Sequence, residues 1–478
     1  MIKLYPTCRF KTINTLLVVL LLNIPLVALT QELPFYNKTS TKKRIERRLR
    51  RDTMLNRPRF GRAAIELGAA ELTPFIIDRY IRNMDYAHIS WQTVGHNLKP
   101  NSWAWDNDGF QTNQFGHPYH GSLFFNAFRT NGYSFWQSAP VAFVGSYLWE
   151  TFAENQAPAP NDFINTSLGG IILGEMTYRL SNKIINNHSR GFKRQASEVF
   201  ALIINPMNGI NRILDGKWGK VSRNTTEQDS SKVRAEFDLG LRKFNVNNAN
   251  VFRSGHFGWF ARARLLYGTP FEDFKTPFSN INITAELGKD DSTLLNVVSV
   301  YGSITGWKVF TSSQAKHLAI LSANYDYIHN AAFFYGGQSI KFNLYSEFTP
   351  TKKLKINTTV GAGPVILGAV PDDYKFQGRN YDYGPGFGIN GGGKITVMDH
   401  FSAGINYRGG WLITLNGNPS HYFLHAVSSE IGYTFVNNFS IFMEPGFFSL
   451  KGNYNNYPDV NRTYPYLRLS ARYAITQK

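Results

Sequence analysis

A two-residue rhythm, beginning near residue 232 and running to the C-terminus, most constrains how this chain can fold. Val233, Ala235, Phe237, Leu239 and Leu241 alternate with Arg234, Glu236, Asp238, Gly240 and Arg242. Successive side chains of a strand point to opposite faces, so this spacing makes one apolar face and one polar face. The pattern recurs. Trp259, Ala261, Ala263 and Leu265 alternate with residues that include Arg262 and Arg264. Ile281, Ile283, Ala285 and Leu287 follow the same rule, as do Ile340, Phe342 and Leu344, then Phe401, Ala403, Ile405 and Tyr407, then Leu467, Leu469 and Ala471. About twelve segments of this kind occur, near the length at which a tilted strand crosses a bilayer. In a bilayer every backbone amide needs a protein partner, so such strands must close into a barrel.

Composition separates this reading from a soluble sandwich or soluble barrel. Aromatics are 15% of the chain, yet mean hydropathy is −0.27. Aromatic girdles around a polar lumen reconcile the two. Paired arginines on the polar faces suit a wet lumen better than a dry core. One departure is the C-terminus, which reads Ala474-Ile475-Thr476-Gln477-Lys478 instead of ending on an aromatic.

Residues 1–30 read as a secretory leader. Lys3, Arg9 and Lys11 precede an apolar run, with small residues near a cut site. Removing those three charges takes the formal charge from +18 to +15. Cys8 is the only cysteine and would leave with the leader, so the mature chain would have neither disulfide nor thiolate chemistry. Residues 31–59 form a basic linker. Its run KKRIERRLRR suits acidic headgroups or a solvated tether. Nucleic-acid binding is not expected, since no such motif accompanies the run.

Residues 60–216 carry helical periodicity. A first helix is expected over residues 61–83, kinked at Pro74. Others are expected over 117–129, over 138–155 with Ser138 as cap, from Asn161 or Asp162 to 185, and over 194–204. Phe143, Tyr147, Leu148, Leu168, Ile171 and Ile172 are expected to bury. Residues 217–231 read as a polar linker to the barrel, residues 232–478.

Groups able to do chemistry gather between residues 103 and 179. His117 and His120 share a helix face at i, i+3. Glu150 and Glu154 share one at i, i+4, where like charges repel unless Arg129, Arg179 or a metal answers them. Two histidines alone are a weak metal signal, and neither a metal nor a cofactor is expected. Glu175 and Arg179 read as a structural ion pair. Gly169, Gly170 and Gly174 permit close helix approach. The run Trp105-Asp106-Asn107-Asp108-Gly109 resembles part of a calcium loop but lacks its first acidic ligand and terminal glutamate. Nucleophile-elbow and phosphate-loop patterns are absent from the sequence.

The blocks WDNDGFQTNQFGHPYHG, FNAFRTNG, WETFAENQAPAPNDFINTSLGGIILGE and INPMNGINRILDG occur in that order. Over about residues 90–216 they resemble the bacterial domain of unknown function 3943, which implies a cell-envelope location and no particular reaction. A second resemblance is to VanZ-like membrane proteins, through Glu154, Gln156, Pro160, Asp162, Asn165, Gly169 and Gly170. The interval from Asn165 to Gly169 is one residue longer than that pattern, and the spanning helices of those proteins are missing. That resemblance implies envelope and lipopeptide-antibiotic phenotypes.

The expected protein is therefore α+β: an N-terminal helical domain followed by a C-terminal antiparallel transmembrane barrel of the outer membrane. The helices would plug the lumen or dock at its periplasmic mouth. The leading functional expectation is binding or modification of envelope lipid. His117 or His120 would be general base, with Glu150, Glu154 or Asp162 orienting it or carrying a second proton. Arg129, Trp149, Asn165 and Arg179 would contact substrate. A transport or gating barrel with a helical plug is the alternative, and a purely structural envelope protein the third. Outer-membrane lipids and the barrel assembly machinery are the expected partners of a monomer.

Overall fold

The computed structural model describes residues 57–221, 232–247, 250–290, 294–436 and 438–477. The expected leader, the basic run and residues 222–231 of the linker lie outside the described residues. Helices and barrel belong to one compact unit.

Twelve antiparallel strands close on themselves, each paired with its neighbours in sequence and β1 with β12. They run β1 Val233–Phe244, β2 His256–Tyr267, β3 Ile281–Gly288, β4 Leu295–Thr311, β5 Ala315–His329, β6 Phe334–Thr351, β7 Leu354–Phe376, β8 Arg379–Val397, β9 Phe401–Ile413, β10 Ser420–Val436, β11 Phe439–Tyr454 and β12 Val460–Gln477. Closure removes every edge, which is the condition for strands to live in lipid. The β7–β8 hairpin turns on Gln377 and Gly378, both at positive φ (51° and 86°), as a tight two-residue hairpin requires.

Ion pairs identify the inner face. Arg262 of β2 reaches Glu444 of β11 at 2.7 Å, and Arg264 of β2 reaches Glu430 of β10 at 2.7 Å. Arg468 of β12 meets Glu286 of β3 at 2.8 Å, and Arg408 of β9 meets Asp326 of β5 at 3.4 Å. None of these strand pairs are neighbours, so the side chains meet only across the lumen. Arg472 ties Asp238 to Glu430 in the same network (2.6 and 2.7 Å). Tyr422, Leu412, Leu450, Tyr464 and Val365 form an apolar cluster within the same interior. On the opposite face Phe237, Leu239, Leu241, Phe342, Leu344, Ile405 and Ile441 are exposed. A polar inside and an apolar outside make this a transmembrane barrel of the outer-membrane kind.

The helical region comprises α1 Phe60–Ile76, α2 Trp91–Asn97, α3 His117–Arg129, α4 Phe135–Phe152, α5 Pro160–Ile164, α6 Gly170–Ile185, α7 Phe192–Ile204 and α8 Pro206–Leu214. None of the described helices is long and apolar enough to cross a membrane. Pro74 does not break α1, which runs on as a π-turn over Ile77–Ile81. The cap of α4 is Ser134, not Ser138: its hydroxyl accepts from the Gln137 N–H in a capping box, so the helix starts about a turn earlier than expected and ends at Phe152 instead of 155. Asp162 caps nothing, because Pro160 opens α5 and a π-turn, Asn165–Gly169, joins α5 to α6. Residues 205–216, which resembled a motif, fold as α8 with Asn205 as cap. Of the side chains expected to bury, Ile172 does, whereas Tyr147 is exposed.

Strand parity corrects the expected placement of these helices. Tyr325 and Tyr327 pair in register with Gln338 and Gly336, which share a face of β6 with the exposed Ile340, Phe342 and Leu344. Tyr381 and Tyr383 share a face of β8 with the exposed Phe387 and Ile389. These tyrosines therefore point away from the lumen, yet they are fully buried, because the helical region covers them. Phe110 packs on Tyr327 and Phe334 (ring centroids 5.6 and 4.3 Å), and Phe135 on Phe278 (5.5 Å). The Tyr325 hydroxyl donates to the Gln114 carbonyl, and Arg379 to the Asp106 carbonyl at 3.0 Å. The described helices thus clamp the outer wall. They neither plug the lumen nor close its mouth.

Candidate functional site

Four helices, α3 to α6, position the candidate residues. Glycines let them approach closely: a Cβ at Gly121 would lie 1.8 Å from the Thr166 carbonyl oxygen, and one at Gly174 2.6 Å from the Phe125 ring. That contact sets α3 against α6 and brings His117 beside α5.

His117 Nε2 lies 3.6 Å from Asp162 Oδ1, close but beyond hydrogen-bonding distance. Asp162 Oδ1 instead accepts from Asn161 Nδ2 at 2.7 Å. His120 turns the other way. Its Nε2 donates to the Ala70 carbonyl at 3.1 Å, and its ring stands edge-on to Trp149, centroids 4.6 Å apart. Glu150 accepts the Ala159 N–H at 2.9 Å, and Glu154 accepts from Trp149 Nε1 at 2.6 Å. No described hydrogen bond joins His117, His120, Glu150 and Asp162 to one another. Asn165, one turn beyond Asp162, is fully buried with neither amide atom partnered.

Burial sets the charge state of this group. It lowers His117 and His120 from 6.5 to about 4, so both rings are neutral at neutral pH. Burial also raises Glu150, with the charge of Glu154 adding to it, and raises Asp162, with Glu150 adding to it. Glu154 is pushed up to about 7, chiefly by burial. The cluster is thus a desolvated set of acids and imidazoles in which burial favours the neutral forms.

Arg129 and Arg179 do not answer Glu150 and Glu154. Both hold Glu175, at 2.7 and 2.9 Å, and Arg179 also donates to the Pro277 carbonyl at 2.7 Å, which fastens α6 to the barrel. The expected Glu175–Arg179 pair is present within this larger group. Among the described residues, no three or more His, Cys, Asp or Glu side chains are placed to hold a metal ion. Sequence reasoning passed over Asp106 and Asn161 as site members. Asp106 Oδ2 accepts from the Asp108 N–H (2.8 Å) and from Asn113 (3.0 Å), while Asn161 Oδ1 accepts the Asp106 N–H (3.0 Å). The incomplete calcium-loop run is thus an internal turn joined to α5.

Residues 102–207 match the family model of a domain of unknown function, DUF3943. Every candidate residue above from His117 to Arg179 falls inside that segment, and it lies wholly on the helical side of the molecule. No curated protein matches the chain. Among solved structures the chain is similar to the NanC porin, at 10% identity over 48% of this chain and 98% of that one, with a TM-score of 0.27. It is similar to the KdgM porin at 12% identity, over 49% and 98% of the two chains, with a TM-score of 0.23. An outer membrane channel, COG4313, from Pseudomonas putida F1 gives 10% identity, 52% and 95% coverage, and a TM-score of 0.28. At scores this low the likeness is of barrel to barrel and carries nothing about cargo.

Proposed function

We propose that the barrel is a gated passage for small polar or ionic solutes, held shut at rest by the charge pairs that bridge its lumen. The observation that carries this reading is the set of pairs between non-neighbouring strands, Arg262 to Glu444, Arg264 to Glu430 and Arg408 to Asp326. A barrel with only a mechanical task can fill its centre with apolar side chains. Taking an ion out of water costs several kcal/mol, and apolar packing of equal volume is often as stable or more so. So many charges on the inner wall make better sense if that wall meets water when the passage opens. The helices lie outside the lumen, so the gate is the inner wall itself and not a plug.

Single-channel recording in planar bilayers tests this. Wild-type protein should be mostly closed, and Glu430→Gln combined with Arg472→Gln should raise the open fraction. Silent bilayers from a double variant that still runs as a folded barrel would reject a passage.

A second reading has one observation in its favour. His117 and Asp162 stand 3.6 Å apart beside Glu150, inside a region attached to the lipid-facing wall. In that reading the region acts on envelope lipid, with neutral His117 as base. His117→Ala and His120→Ala cells should then differ from wild type in their lipid profile, and identical profiles would dismiss it.

A further inference from the structure

The helical region is built with its polarity reversed relative to a water-facing domain. On α1 and its π-turn the carboxylates of Glu66 and Asp78 turn inward. Glu66 is buried against Asn131, Asn211 and Arg62, and Asp78 is buried against Arg82 and Tyr86. The opposite side of α1 and its π-turn carries Ile65, Leu72, Ile76, Ile77, Tyr80 and Ile81, all exposed, with Ile65 at 75% and Ile81 at 76%. α7 and α8 repeat the arrangement. Glu198 is held between Arg194 and Arg212 at 2.9 and 2.6 Å in the interior, while Val199, Ile203, Ile210, Ile213 and Leu214 face out. Single exposed apolar residues are ordinary, but whole apolar faces over an ionic interior are not.

The position of these helices says what covers them. Along the outward face of β6, Phe334, Gly336 and Gln338 lie towards the helices and Ile340, Phe342 and Leu344 lie open. One step of two residues, roughly 7 Å along a strand, separates the seam from the barrel's lipid-facing girdle. The girdle and the helical region therefore share one side of the wall.

We infer that the outer faces of α1, α7 and α8 are a lipid-contact surface, so that the helical region lies in the bilayer against the barrel, with the surrounding lipid chains as its partner. This goes beyond the passage proposed above and does not depend on it. Lipid contact lets the apolar faces stay unpaired by protein, while Glu66, Asp78 and Glu198 are answered by Arg62, Arg82, Arg194 and Arg212. It also accounts for a region without any spanning helix among those described: an amphipathic helix lies along the boundary between headgroups and chains instead of crossing it.

Spin labels test the inference on the full-length protein. With Cys8→Ser as background, single cysteines are placed by Leu72→Cys and Ile203→Cys, and reconstituted into phosphatidylethanolamine–phosphatidylglycerol vesicles. Phe342→Cys on the girdle is the lipid reference, and Lys352→Cys in the exposed β6–β7 turn is the water reference. Relaxation by oxygen should exceed relaxation by a water-soluble nickel chelate at positions 72 and 203, with a ratio matching the girdle site. A ratio matching the turn would place these faces in water and overturn the inference. Shielding from both reagents would overturn it in favour of cover by the chain's own protein. Spectral broadening that unlabelled protein dilutes away would overturn it in favour of a second copy.

Discussion

The barrel wall and the helical region hide their charges in the same way, and only one of them announces it. In the wall, Glu236, Asp238 and Arg242 point in while Phe237, Leu239 and Leu241 point out. In α7, Arg194 and Glu198 point in while Val199 and Ile203 point out. A strand separates its faces at every second residue, so its two sides are visible in the sequence. A helix also separates its faces, but amphipathicity alone does not say which side meets the core. The usual assumption puts the apolar side inward. Here the outward side of the wall already lies in lipid, and the assumption inverts.

Four measurements test whether wall and helices are held by the same forces. The largest concerns the buried charges. Arg472→Ala removes the cation shared by Asp238 and Glu430, which keep Arg262 and Arg264, and Glu175→Ala removes the carboxylate shared by Arg129 and Arg179. Glu175→Ala should cost about 3–5 kcal/mol, because two buried cations lose the carboxylate they share, and Arg472→Ala should cost less, because Arg262 and Arg264 still answer Asp238 and Glu430. Urea unfolding in lipid, followed by tryptophan fluorescence, measures both. A barrel that tolerates Arg472→Ala while the helical region collapses on Glu175→Ala would end the parallel.

The next concerns the outer faces. Leu239→Arg on the wall should cost about 2–4 kcal/mol if it sits near the bilayer centre, falling to about 0–1 near an interface. Ile203→Arg on α7 should give the smaller figure. Refolding titrations into vesicles rank the two, and a reversed order would move α7 deeper than the wall residue.

The third uses pH. Burial lowers His120 to about 4 in the folded protein, against 6.5 when unfolded, so stability should fall as pH drops from 6.5 towards 4. Glu154 acts in the opposite sense, since its folded value of about 7 stands above the unfolded 4.5. The unfolded state then binds fewer protons, and stability should fall as pH rises from 4.5 to 7. His120→Phe should flatten the acid limb and Glu154→Gln the upper one, read from protection of the helical region against limited proteolysis.

The smallest concerns Ser134. Its hydroxyl accepts from the Gln137 N–H at 3.3 Å, and Ser134→Ala should cost about 1 kcal/mol without moving the barrel's own transition. An effect on the barrel would mean that the clamp on its outer wall also holds the strands.

Much of the candidate site could be named before it could be placed. His117 and Asp162 are both in the sequence reading, and the structure brings them within 3.6 Å. The shift of both towards the neutral form could not be read, because it comes from burial by segments far apart in the chain. Arg129 and Arg179 were legible as cations near the site, but their shared commitment to Glu175 depends on how α3 and α6 approach through Gly121, Gly170 and Gly174. Asn161 and Asp106 were legible as a cap and a loop residue, but their mutual bond gave no signal, since it spans 55 residues of sequence.

By itself the sequence determined the strand rhythm, the polar and apolar sides of the wall, and the helical character of residues 60–216, because each follows from local periodicity. Tertiary structure alone decided that charges pair across the lumen, that helices lie on the outer wall, and that their apolar sides turn outward. Those outcomes rest on which faces meet across long sequence separations, and no local pattern encodes a choice of partner.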